Sequence, residues 1–126
     1  MKKFFIYWLP VVLYAAVIFY LSSLPNVSPN LGGLWDIIVT DAAHFVEYFI
    51  LSILFYRAML HTSSLNEAYK KGVSAISCIL YAVSDEIHQS FIPTRTASVG
   101  DLLIDAVGII LGIYFFCKFF LNKRKA

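Results

Sequence analysis

Apolar residues run almost unbroken over four stretches of this chain, about residues 4–24, 42–60, 72–92 and 99–121, with polar residues gathered between them. Each stretch comes close to the roughly 20 residues that a helix needs to cross a hydrocarbon core, at about 1.5 Å of rise per residue. The pattern predicts an all-α membrane protein: one domain over residues 1–126, folded as a four-transmembrane-helix bundle. Connections between the stretches are short. Only Pro25 to Asp41 has length enough for structure of its own, and Pro25, Pro29, Gly32 and Gly33 mark it as a loop. Within it, Leu34, Trp35, Ile37 and Ile38 are expected at the headgroup level. Pro10 falls in the first third of the first helix, where a membrane helix tolerates it if neighbours satisfy the freed carbonyl. Lys2 and Lys3 ahead of an apolar run, with Ser22 and Ser23 behind it, look like a signal peptide. The run exceeds the roughly 7 to 15 residues of a secretory core, so an uncleaved helix is expected instead.

Composition strengthens this picture. The chain is 60% hydrophobic and only 14% charged, with a mean hydropathy of +0.74. A soluble domain is about 25% charged, so here the bilayer must be the solvent for much of the surface. A net charge of +2 gives no footing for nucleic acid. The placement of the cations says more than their sum. Lys2 and Lys3 precede the first helix, Arg57, His61, Lys70 and Lys71 surround the second connection, and Lys118, Lys123, Arg124 and Lys125 mark the tail. Basic residues in short flanking segments stay in the cytoplasm, so both termini are expected there and both odd-numbered connections outside. Ser64 to Glu67 reads as a capping box opening the third helix. Cys78 and Cys117 read as small hydrophobes rather than a disulfide. The Asn26-Val27-Ser28 triplet fits a glycosylation pattern.

With that orientation, the polar residues inside or beside the apolar stretches all fall toward the outer side. They are His44 and Glu47 in the second helix, Asp85, Glu86, His88 and Gln89 in the third, Arg95 in the turn, and Asp101 and Asp105 in the fourth. Residues three or four apart share a helix face, so His44 pairs with Glu47, Asp85 with His88 and Gln89, and Asp101 with Asp105. A single Asp at the centre of a membrane helix costs about 2.5 to 3.5 kcal/mol, so five carboxylates require compensation. Arg95 and two histidines supply less positive charge than that. Carboxyl protonation, imidazole protonation or a bound cation would each close the gap. The mix of imidazole and carboxylate suits Zn²⁺, Mn²⁺ or Fe²⁺ better than Ca²⁺, and the His44/Glu47 and Asp85/His88 spacings resemble ligand pairs of bundle-core metal sites. Arg95 reads as an interfacial anchor, a partner for Asp85 or Glu86, or a clamp for a phosphate or carboxylate. Asp101 and Asp105 also suit the positive start of the fourth helix. Gly108 and Gly112 form a small-xxx-small step that favours close helix packing.

The run Asp85-Glu86-Ile87-His88-Gln89-Ser90-Phe91-Ile92-Pro93-Thr94-Arg95, followed by Ser98, Asp101, Asp105, Gly108 and Gly112, resembles the VanZ-like family of small bacterial membrane proteins. His44-Phe45-Val46-Glu47-Tyr48 is similar to the family's second motif. The resemblance implies a multi-pass protein of the bacterial cell membrane, in a family named after a member linked to reduced sensitivity to the glycopeptide teicoplanin. It supplies no reaction. Two functional classes therefore stand beside a purely structural cluster that glues helices. In the first, an enzyme acts at the outer leaflet on a lipid-linked or cell-envelope precursor, with His44 or His88 as base or metal ligand and Glu47, Asp85 or Glu86 as acid, base or ligand. Gln89, Arg95, Asp101 and Asp105 would bind the substrate. In the second, a binding or accessory protein captures an amphipathic ligand or a glycopeptide. Ser84, Ser90 and Ser98 are near the cluster, but none has the sequence context of a nucleophile. A transport path is the weaker reading, since the polar groups stop in the outer half unless a homo-oligomer extends them.

Overall fold

The computed structural model describes residues 1–25 and 32–122. The Asn26-Val27-Ser28 triplet, Pro29, and the tail cations Lys123, Arg124 and Lys125 lie outside the described residues. The described chain is all helical: α1 Lys2–Ser23, α2 Leu34–Thr62, α3 Glu67–Gln89 and α4 Val99–Phe116, the last continued by a π-helical turn, Cys117–Leu121. α1, α2 and Val99–Leu121 are long and apolar enough to cross a membrane. α3 has 23 residues, a comparable length. Its ends are diluted by Glu67, Lys70 and Lys71 on one side and Asp85 and Glu86 on the other, so apolarity alone does not mark it as a span.

Two boundaries differ from the sequence expectation. The second helix begins at Leu34, not near Ala42, so the expected loop from Pro25 to Asp41 is helical in its last eight residues. Asp36 and Asp41 thin the hydropathy there without breaking the helix. Asp36 sits in the first turn, where the helix dipole favours an anion. The true break is at Gly32 and Gly33, whose φ values of 94° and 48° favour glycine. The resulting helix of 29 residues is about 44 Å long, more than about 30 Å of hydrocarbon requires. α3 is capped by Asn66, whose Oδ1 accepts from Tyr69 N at 3.0 Å, so the capping box expected at Ser64 is not used. α1 runs unbroken through Pro10.

Cross-helix contacts set the packing. Trp8 Nε1 donates to Thr62 Oγ1 at 2.9 Å and Tyr7 stacks on His61, which joins the start of α1 to the end of α2. Tyr81 donates to Ala15 O at 2.6 Å, tying α3 alongside α1. Gly108 and Gly112 lie against Phe45 and Phe49 of α2, so α2 and α4 run in the same direction. The helices thus alternate up and down. Helices α2 and α3 both pack against all the others, whereas the backbones of α1 and α4 do not approach each other closely. Tyr48, Tyr56, Ile18, Ile109, Cys78 and Ala82 form the buried centre. Cys78 and Cys117 are free thiols, as the sequence predicts.

Candidate functional site

The buried face of α3 runs through Ser74, Cys78, Ala82, Asp85, Glu86 and Gln89. The stripe is small and apolar along most of its length and turns acidic only in the last two turns, so the spacing that buries Ala82 also carries Asp85 and Glu86 inward. α4 opens at the same end of the bundle. Ser98 caps it by accepting from Gly100 N and Asp101 N, at 3.1 and 3.4 Å. Asp105 lies one turn further in and is 1% exposed. From α2, His44 reaches the same region.

These three helices converge on one cluster. His44 Nδ1 lies 3.2 Å from Asp105 Oδ1, both residues being buried. Glu86 accepts a hydrogen bond from Ser98 N at Oε2, 3.0 Å away. The potential ligand atoms of His44, Glu86 and Asp101 all lie within 4.8 Å of one another. Two carboxylate oxygens in the cluster, Glu86 Oε1 and Asp105 Oδ2, are buried without a hydrogen-bond partner among the described residues. Glu47, one turn along from His44, is half-buried and feels the charges of His44, Asp85, Asp105 and Arg95.

The other polar residues face α1. Asp85 accepts from Ser22 and, at 3.1 Å, from Gln89 Nε2. His88 Nε2 is 2.9 Å from Ser23 Oγ, and its ring stacks on Phe19 with centroids 4.5 Å apart. Arg95 donates from Nε to Leu24 O at 2.9 Å and from a terminal nitrogen to Leu21 O at 3.1 Å. It thereby gives Leu24 O a donor beyond the end of α1 and adds a second donor to Leu21 O, which already accepts from Leu24 N. A turn delivers it there. Arg95 N bonds to Ile92 O, with Pro93 and a positive-φ Thr94 between them, so the chain reverses tightly after α3.

A family model described as VanZ/LLP1 matches residues 4–121. The chain belongs to the VanZ/LLP1 family. Among curated proteins and among solved structures, no match is found.

In this VanZ/LLP1 chain, sequence reasoning misses Ser22 and Tyr48 as neighbours of Asp85, and Ser23 and Phe19 as neighbours of His88. Ser22 and Ser23 stand at the end of an otherwise apolar helix, and serines at that depth, with an acid-rich helix elsewhere in the chain, are the available signal. Tyr48 is buried, and Asp85 is among the groups acting on its hydroxyl. Ser84 and Ser90 donate to carbonyls of their own helix, at Tyr81 and Ile87, and Ser98 serves as a cap, so none is set up as a nucleophile. The ligand pairs expected from the sequence, His44 with Glu47 and Asp85 with His88, are not the set that comes together across helices. His44, Glu86 and Asp101, one from each of three helices, form the group with metal-ligand proximity among the described residues.

Proposed function

We propose that this VanZ/LLP1 protein spans the bacterial cell membrane four times, α3 included, with both termini in the cytoplasm and the His44–Glu86–Asp101 cluster opening as a pocket toward the outer leaflet. There it acts on a lipid-linked or cell-envelope precursor by proton-transfer chemistry. The observation that carries this reading is the His44–Asp105 pair held beside Glu86 and Asp101, with two buried carboxylate oxygens left unpaired among the described residues. A carboxylate on one imidazole nitrogen fixes the ring and directs the other nitrogen into the site. Glu47, half-buried beside several charges, is the acid or base in this scheme. Asp85, Gln89, His88 and Arg95 anchor the rim to α1, and Arg95 sits close enough to attract a phosphate at the membrane surface.

A second reading is favoured by the serines near the cluster, which bond to carbonyls of their own helix or cap α4: the pocket binds an amphipathic ligand, such as a glycopeptide, without turnover. Incubating the pure protein in lipid nanodiscs with lipid-linked envelope precursors separates the two by mass spectrometry. Enzyme activity predicts a new product that disappears in Glu47→Gln and Glu86→Gln variants that still fold. Unchanged precursor that stays bound to the protein gives the site to binding. Variants that unfold while precursor neither reacts nor binds would reduce the cluster to helix glue.

A further inference from the structure

We infer that the cluster is a site for one first-row divalent metal ion, Zn²⁺ or Mn²⁺, held by His44, Glu86 and Asp101 and oriented from behind by Asp105. This deepens the reading above by naming what the same pocket holds. Its test reads bound metal rather than turnover, so either can fail without the other.

Geometry comes first. Three donor atoms from three helices lie within 4.8 Å of one another, a separation that modest side-chain movement closes onto one ion with bonds of about 2.0 to 2.2 Å. The imidazole is arranged as metal-bound imidazoles are. Its Nδ1 is 3.2 Å from the buried Asp105 carboxylate, which leaves Nε2 as the free ring nitrogen. Glu86, 7% exposed, uses Oε2 to accept from Ser98 N and leaves Oε1 buried and, among the described residues, unpartnered. A buried carboxylate oxygen with nothing to accept from is costly, and a cation is the partner that suits it.

Charge points the same way. Glu47, Asp85, Glu86, Asp101 and Asp105 are five acids, and among the described residues their one ion pair is His44 with Asp105. Arg95 gives its hydrogen bonds to α1 carbonyls, and His88 turns to Ser23. The guanidinium and second imidazole that the sequence offers as compensation are thus engaged elsewhere. One imidazole and two carboxylates favour a borderline ion over Ca²⁺, which takes six to eight oxygens. Three protein ligands leave coordination positions open for water or a substrate oxygen, the arrangement of catalytic rather than structural metal sites.

Protein purified in detergent without chelator, then analysed by inductively coupled plasma mass spectrometry, should carry close to one equivalent of Zn²⁺ or Mn²⁺. Stripped protein should regain it in a calorimetric titration and melt at a higher temperature when loaded, with excess Ca²⁺ failing to displace the ion. Glu86→Gln and Asp101→Asn keep side-chain shape and should each weaken binding at least tenfold, and Asp105→Asn by about 10- to 100-fold. His88→Ala should bind as tightly as the parent. The inference is overturned if stripped protein takes up neither ion at micromolar concentration. It is equally overturned if folded Glu86→Gln and Asp101→Asn variants bind like the parent, or if His88→Ala is the variant that loses the metal.

Discussion

Arg95 is placed by hydrogen bonds to Leu24 O and Leu21 O, so its first role is to close the end of α1. Replacing it with Ala should lower stability by about 1 kcal/mol, the scale of partly exposed charge-assisted hydrogen bonds, read as a fall in melting temperature in detergent. Lys should recover only part of this, because a single ammonium does not reproduce the spread of the guanidinium. The sequence shows that Arg95 follows Pro93 in a tight turn, and it leaves its partner open among anchor, acid and ligand. The partner turned out to be backbone, which no side-chain pattern announces. Glu86 and Asp105 are different. Their position on inward helix faces is legible from spacing alone, since burial of Ala82 and Gly108 carries the neighbouring acids with it. What spacing does not reveal is that His44 would choose Asp105, 61 residues away in sequence, over Glu47 on its own helix.

Between elements, the tightest seam is that of α2 with α4. A Cβ added at Gly108 would sit 2.7 Å from Phe45 O, and one added at Gly112 would sit 2.5 Å from Phe49 O and collide with Ser52 Oγ. Backbone cannot step aside as a flexible side chain does, so Gly112→Val should destabilise by about 3 kcal/mol or more. Gly72→Ala is the control. Its Cβ would meet nothing within 4 Å, and in a helix interior the change should stabilise by roughly 0.5 to 1 kcal/mol. Thermal melts of the two variants in one detergent compare them directly. The small-xxx-small step was readable in the sequence and does the work expected of it. Helix existence was readable as well, because long apolar runs have few alternatives in lipid. Helix starts were less so: Asp36 and Asp41 lowered the apolarity of the first turns of α2, and Asn66 displaced Ser64 as the cap of α3.

For the molecule as a whole, alternation of four helices places the polar cluster at the end where α1 finishes and α4 starts, away from Lys2, Lys3, Lys70 and Lys71. Charge asymmetry of that kind orients a chain in the membrane. In a background lacking Cys78 and Cys117, Ala97→Cys should react with a membrane-impermeant thiol reagent added to intact cells, and Leu65→Cys should react only after permeabilisation. The reverse pattern would turn the polar cluster toward the cytoplasm. At the opposite end, a cavity of about 650 Å³ fills the gap that α1 and α4 leave between them, lined by Tyr7, Arg57, His61, Phe116 and Phe120 among others. The bundle is therefore loose at one corner and tight along the α2–α4 seam, and the tight seam leads straight to the chemistry. Asp105 stands one turn before Gly108 and His44 one residue before Phe45, so the missing methyl at position 108 calibrates how near the imidazole comes to its carboxylate. Even a single carbon inserted there would act as a shim, prising the two groups apart before any reacting side chain had been altered.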